Sequence, residues 1–194
     1  MKKSRLLLIL VLVFCCLPFP SALQAVDLQL NRTPVKVFFS PSGGCTDAVV
    51  TEIDQARSEV LVQAYVFTSA PIAKALLQAH RRGVRVEAIL DKSQQTRRYS
   101  SATFLVNAGS PTYIDGQHAI AHNKVMIIDG ERVISGSFNF TKAAEESNAE
   151  NLVIIRSAEL ARVHLANWRE HRAHSTAIDR LTLVQPSAGR PQEP

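Results

Sequence analysis

The sequence predicts an α/β sandwich built on a mixed central sheet. Two observations carry this: short β-rich apolar runs alternate along the chain with amphipathic helical runs, and alternation of that kind stacks helices on the faces of a sheet. A third is scale. With 194 residues, 46% of them hydrophobic, and ordinary charge content, the chain can bury one sizeable core as a single domain.

In chain order, Val35 to Phe39 reads as a strand, Thr46 to Ser58 as a helix and Val60 to Phe67 as a β-rich run. Ser69 can cap the next helix, with Pro71 in its first turn and Gly83 after its end at Arg82. Val84 to Leu90 is the next strand, and Tyr99 to Ala108 a helix stopped by Gly109. After Gly116, the run Ala119 to Ile128 alternates and then turns continuously apolar, the pattern of a strand buried on both faces. Asp129-Gly130 is a hairpin-turn signal, with Glu131 to Ser135 as the returning strand. Leu152 to Ile155 reads as a strand. The final helix, Ala158 to about His174, carries Trp168 at core spacing.

The chemistry concentrates in one stretch, Ala121 to Gly130, followed by Gly136-Ser137-Phe138-Asn139. Successive strand side chains point to opposite faces, so His122 and Lys124 share one face and aim an imidazole and an ammonium at one point. A phosphodiester repels nucleophiles, so an enzyme that attacks it must neutralise its oxygens, supply a nucleophile and protonate the leaving alkoxide. Lys124 offers a point charge, Ser137 and Asn139 offer donors, and neutral His122 can attack phosphorus. A histidine or lysine alone in a strand would be an ordinary core or edge residue. The further Gly-Ser-x-Asn at fixed spacing lowers chance occurrence by roughly three to four orders of magnitude.

The pattern His122-x-Lys124-x4-Asp129-x6-Gly136-Ser137-x-Asn139 resembles the signature of the phospholipase D superfamily, or HKD family. "GSFNFTKAAE" at Gly136 to Glu145 is similar, nearly residue for residue, to the small bacterial periplasmic endonuclease branch, and the resemblance runs from about Val35 to Trp168. It implies a phospholipase D-like α-β-α sandwich, a covalent phosphohistidine intermediate and no cofactor. In that branch a glutamate matching Glu150 hydrogen-bonds the catalytic histidine, fixing its tautomer. Asp129 belongs to the signature, yet its place in a turn favours a turn and ion-pair role.

The mechanism needs a second histidine, and the motif occurs once. His80 lies beside Arg81 and Arg82; His164, His171 and His174 lie in the C-terminal helical segment; none is followed two positions later by lysine. His118 is spaced i to i+4 from His122, but in a loop and strand, with no His-Glu-x-x-His pattern and no carboxylate or cysteine cluster expected to complete a ligand set, so no metal site is expected. Two-fold symmetry supplies the missing group, because a dimer repeats one patch on both subunits. The resemblance implies the same arrangement, a homodimer with a shared site.

Lys2, Lys3 and Arg5 precede an apolar run from Leu6 to Leu17 and small residues to Ala25, the layout of a cleavable secretory signal over residues 1–25, with an uncleaved membrane anchor as the alternative. The nuclease domain is then expected over 26–184, periplasmic or secreted, with a polar, proline-rich and disordered tail at 185–194. Cys15 and Cys16 fall inside the signal and Cys45 stands alone. Removing residues 1–25 takes away three bases and no acid, which moves the net charge from +5 to +2. Affinity for DNA or RNA would therefore come from local clusters, Arg81-Arg82-x-x-Arg85 and Arg97-Arg98, rather than from overall charge. A lipid phosphodiesterase acting on phospholipid shares the same catalytic residues in this superfamily. A non-catalytic nucleic-acid binder needs charge but not this constellation.

Overall fold

The computed structural model describes residues 27–95 and 101–179. The expected signal over 1–25, Arg97 and Arg98, and the expected tail at 185–194 lie outside the described residues. Among the described residues, eight strands form one sheet: β1 (Val35–Ser40), β2 (Glu59–Ala64), β3 (Arg85–Asp91), β4 (Thr112–Asp115), β5 (Lys124–Ile128), β6 (Arg132–Gly136), β7 (Glu150–Arg156) and β8 (Thr176–Ile178). Their order is β1-β7-β6-β5-β2-β3-β4-β8. Helices α1 (Cys45–Asp54), α2 (Ala70–Arg81), α3 (Ser101–Asn107), α4 (Lys142–Glu146) and α5 (Ala158–His174) complete the set. β2, β3 and β4 run parallel, joined through α2 and α3, and every other pairing is antiparallel, so the sheet is mixed as the alternation predicts.

The pleat divides two cores. Val60, Val62, Val86, Ala88, Leu90, Met126, Ile128 and Ile134 face α1, α2 and α3, whereas Leu61, Ile89, Ile127 and Val133 face Ala161 and Trp168 of α5. The Trp168 indole N–H also donates to the Val62 carbonyl at 3.1 Å. Burial on both faces explains why β2 and β5 read as continuous apolar runs. Cys45 begins α1 with no accessible surface, and burial pushes its thiol up, which makes it a packing residue rather than a nucleophile.

On the α5 side the cover ends before the β1 edge. Val35, Val37 and Phe39 alternate along β1 and remain 45%, 51% and 66% exposed. They lie beside Ile155, Val153 and Asn151 of β7, so an apolar stripe reaches the end of the sheet where β7 begins.

Three expectations need correction. Strand β5 starts at Lys124, not Ala119, because Asp91 at the end of β3 captures the Ala121 N–H at 2.8 Å, while Asp115 at the end of β4 holds the preceding turn by accepting from Gln117 at 3.1 Å and His118 at 3.4 Å. Helix α1 ends at Asp54 rather than Ser58, since the N–H groups of Arg57 and Ser58 turn to Asp129 instead. Ser69 occupies the N-cap position of α2 without a side-chain cap, and β4 and β8 form where the sequence offered no strand signal.

Candidate active site

The end of the sheet where β2, β3 and β4 finish gathers most of the expected site. In open α/β sheets this is where ligands bind. His122 is exposed in the loop just before β5, and Lys124 is β5's first residue, 6% exposed. Both meet Tyr65, which follows β2: its ring lies 4.6 Å from the imidazole, centroid to centroid, and 5.3 Å from the Lys124 ammonium. The Tyr65 N–H donates to the Asn123 carbonyl at 2.8 Å, and Lys124 Nζ donates to the His122 carbonyl at 3.0 Å. The loop thus holds His122 and Lys124 on one aromatic platform. Burial pushes the Lys124 ammonium below its ordinary value, and the negative charge of Glu150 works against that shift. Tyr65 escaped the sequence reading, because one aromatic at the end of an apolar run has no distinguishing pattern.

Ser137 and Asn139 follow β6 at the same end. Gly136 makes this possible: its φ is 145°, and a Cβ there would sit 2.3 Å from the Asn151 carbonyl oxygen. The close approach lets the Ser137 hydroxyl accept from the Asn151 N–H at 3.0 Å while its proton stays available to a substrate oxygen. Asn139 is half-buried, with Oδ1 sequestered and without a partner among the described residues. The strand bridge from Phe67 to Phe140 docks this segment on the same extension of β2 that holds His122. Glu150 begins β7; its hydrogen bond is to Asn148 Nδ2, at 3.2 Å, not to His122. Its negative charge also faces Lys124.

Asp129 lies at the opposite end of β5, about 15 Å of strand away by residue count. It adopts a left-handed turn conformation, φ 55°, and accepts from the N–H groups of Arg57, Ser58 and Glu59 and from Arg132 Nη2 at 2.7 Å. Burial would raise this carboxyl, but the backbone donors overcome it and hold it down at about 2, against 3.8 ordinarily. A depressed carboxyl stabilises the fold above its unfolded value, and that stability is lost as pH falls from about 4 to about 2. Asp129→Asn is therefore expected to cost about 2 kcal/mol at pH 7, with cleavage by the folded variant retained. Urea unfolding would show the gap closing toward pH 2; equal stability of the two proteins at pH 7 would exclude this role.

Two of the arginines expected to bind nucleic acid, Arg82 and Arg85, lie at this far end with partners of their own. Arg85 is paired with both Glu59 and Glu87, and Arg82 donates to the carbonyls of Ile53 and Asp54. Arg82 and Arg85 are thus engaged by the protein itself, while Arg81 is exposed at the end of α2. A cleft of about 670 Å³ also opens here, but its Arg132, Glu52 and Lys36 are tied to one another.

Behind the His122 loop, Asp115, His118, His171 and His174 converge. This corrects the expectation that no carboxylate joins His118. Burial raises the Asp115 carboxyl, and hydrogen bonds from the three imidazoles overcome it, holding it far below the carboxylate range. His171 and His174 stand one turn apart in the sequence, which was a visible signal; Asp115 sits in a strand that was not.

Residues 49–171 match the family model described as "Cardiolipin synthase, PLD-like domain". The chain is 43% identical over 145 residues to "Phospholipase D" of Rickettsia conorii, covering 75% of this chain and 72% of the relative. It is 33% identical over 149 residues to "Mitochondrial cardiolipin hydrolase" of Danio rerio, covering 76% of this chain and 57% of the relative. Among solved structures it is similar to Nuc of Salmonella typhimurium, a phospholipase D family member, with TM-score 0.73 and 37% identity over 76% of this chain and 99% of Nuc. With His122, Lys124, Ser137 and Asn139 carried at one end of this sheet, the chain belongs to the phospholipase D family and is a phosphodiesterase of that superfamily.

Proposed function

We propose that the protein is a largely sequence-nonspecific endonuclease that cuts nucleic-acid phosphodiesters through a covalent phosphohistidine, without a metal at the reacting centre, at a site shared by two identical chains. The observation that carries this reading is the half-site: one exposed histidine beside a buried lysine, with one copy of the motif in the whole sequence. His122 of one subunit attacks phosphorus as the P–O3′ bond breaks, and His122 of the other protonates the departing 3′ oxygen. The second histidine then takes a proton from water, which attacks the phosphohistidine and releases a 5′-phosphate end. Lys124, Ser137 and Asn139 hold the phosphoryl oxygens as charge develops.

The apolar stripe of Val35, Val37 and Phe39 supports the dimer. Its occupant is a second copy, because the stripe reaches the same sheet end as Glu150, paired with Ser40, and because the site needs a second histidine there. Correspondence with nearly the full length of Nuc, and the match of Gly136 to Glu145 to the endonuclease branch, favour nucleic acid. The relatives named for phospholipase D and cardiolipin hydrolase keep phospholipid as the second reading.

Residues 26–194 would be incubated with plasmid, single-stranded DNA, RNA and phospholipid vesicles. Cutting of the nucleic acids to 5′-phosphate ends is expected, with little sequence preference, since nothing in the chain resembles a base-reading element. Vesicle hydrolysis without nucleic-acid cleavage would overturn the substrate assignment in favour of lipid. A periplasmic or secreted location accompanies the proposal through the expected signal segment, and fractionation of cells expressing the full chain checks it.

A further inference from the structure

Four ligand-type side chains outside the reaction meet behind the loop that carries His122. Asp115, fully buried, ends β4. Its Oδ2 lies 2.9 Å from His118 Nδ1, 2.7 Å from His171 Nδ1 and 3.3 Å from His174 Nε2. The four ligand atoms all lie within 4.8 Å of one another. The three rings crowd together, with centroids 4.7 to 5.3 Å apart.

A hydrogen-bonded cluster accounts poorly for this. One carboxylate oxygen has two lone pairs, yet three ring nitrogens face Oδ2, while Oδ1 already accepts from the Gln117 and His118 N–H groups. His171 and His174 would both have to present a proton to Oδ2, and His118 Nδ1, 3.1 Å from Oδ1 as well, would have to add a third to an oxygen already taken. A cation reverses the demand, since each nitrogen then presents its lone pair. Ligands about 2.0 to 2.2 Å from a tetrahedral zinc ion stand roughly 3.3 to 3.6 Å from one another; the His174 separation of 3.3 Å already matches, and His118 and His171, at 2.9 and 2.7 Å, would move outward by about half an ångström as the ion enters. Imidazole and carboxylate suit Zn²⁺ among the abundant divalent ions. The Gln117 and His118 amides on Oδ1 orient the carboxylate, as outer partners of metal ligands do.

We propose that Asp115, His118, His171 and His174 bind one Zn²⁺ in a closed, four-ligand structural site. Closed sets are structural, because catalytic zinc keeps one position open. The site joins three elements: the end of β4, the last turn of α5 and the loop running into His122. His118 would anchor that loop four residues before the nucleophile, with the Asp91 contact to Ala121 as its second tether. The metal takes no part in bond making, and the inference stands whichever substrate is cut.

The test uses the untagged chain, stripped with chelator and titrated with ZnCl₂. About one Zn²⁺ per chain, bound at micromolar Kd or tighter, and a Tm raised by several degrees at saturation are expected. Co²⁺ in place of zinc should give the visible bands of a tetrahedral site. His118→Ala with His174→Ala should weaken Zn²⁺ binding at least about a hundredfold and remove the cobalt bands, whereas His80→Gln should change neither. Absence of stoichiometric binding by the folded chain, or unchanged binding and spectrum in the double variant, would overturn the proposal. His118→Gln, at the most exposed of the four ligands, gives the same answer if the double variant does not fold. Phosphoryl trapping on His122 reports the reaction separately, so failure of one reading leaves the other measurable.

Discussion

His122→Asn is expected to lower phosphodiester cleavage by at least about four orders of magnitude, because the substitution removes the nucleophile from one subunit and the proton donor from the other. General acid catalysis alone contributes about a hundredfold to ten-thousandfold, and loss of a covalent nucleophile from a unit that acts together costs up to about a millionfold. The His122 side chain is exposed and rests on Tyr65, so the fold should survive and Tm should move little. Acid quenching of wild-type protein on labelled substrate should leave a phosphoryl group on protein that the variant never acquires. A dimer with one wild-type chain and one His122→Asn chain sharpens the test. Each shared site then lacks either attack or proton donation, so activity should fall far below half, and a purified mixed dimer with full wild-type activity would refute the shared site.

The second large effect is structural. Gly136→Ala should destabilise the protein by roughly 3 to 5 kcal/mol, combining a non-glycine residue in a disfavoured backbone region with a clash that cannot be relieved by a side-chain rotation. The obstacle is the Asn151 carbonyl, 2.3 Å from the new Cβ, itself fixed in the β6–β7 ladder. For a chain of this size the Tm should fall by on the order of 10 °C. Separation of β6 from β7 would also release the Ser137 hydroxyl from Asn151, so turnover should drop even well below the new Tm. A variant with wild-type Tm and turnover would show that the two strands can part without cost.

The strands and helices legible in the sequence were those whose burial is periodic. β2, β5 and α5 carry their own pattern, and so does the His122, Lys124, Ser137, Asn139 set, which lies along one continuous stretch. What escaped depends on contacts distant in sequence. The start of β5 departs from its pattern because Asp91, on another strand, intercepts the Ala121 N–H, and Asp115, on a third, fixes the turn before it. Arg85 belongs to an arginine cluster in the sequence, but Glu59 reaches it from the neighbouring strand β2. Glu150 was expected to hold the histidine and instead bonds Asn148. Tyr65 and the partnership of Asp115 with helix α5 have no local signature, since 56 residues separate Asp115 from His171.

The placement of Asp129 has an evolutionary consequence. One short strand carries two obligations at its two ends, chemistry at Lys124 and integrity of the hairpin at Asp129. A descendant that abandoned catalysis would be free to lose His122 and Lys124, yet would still need Asp129 to close the turn on residues 57–59. Retired members of the family should therefore keep the last letter of the signature after losing the first two, and that letter on its own marks ancestry rather than activity.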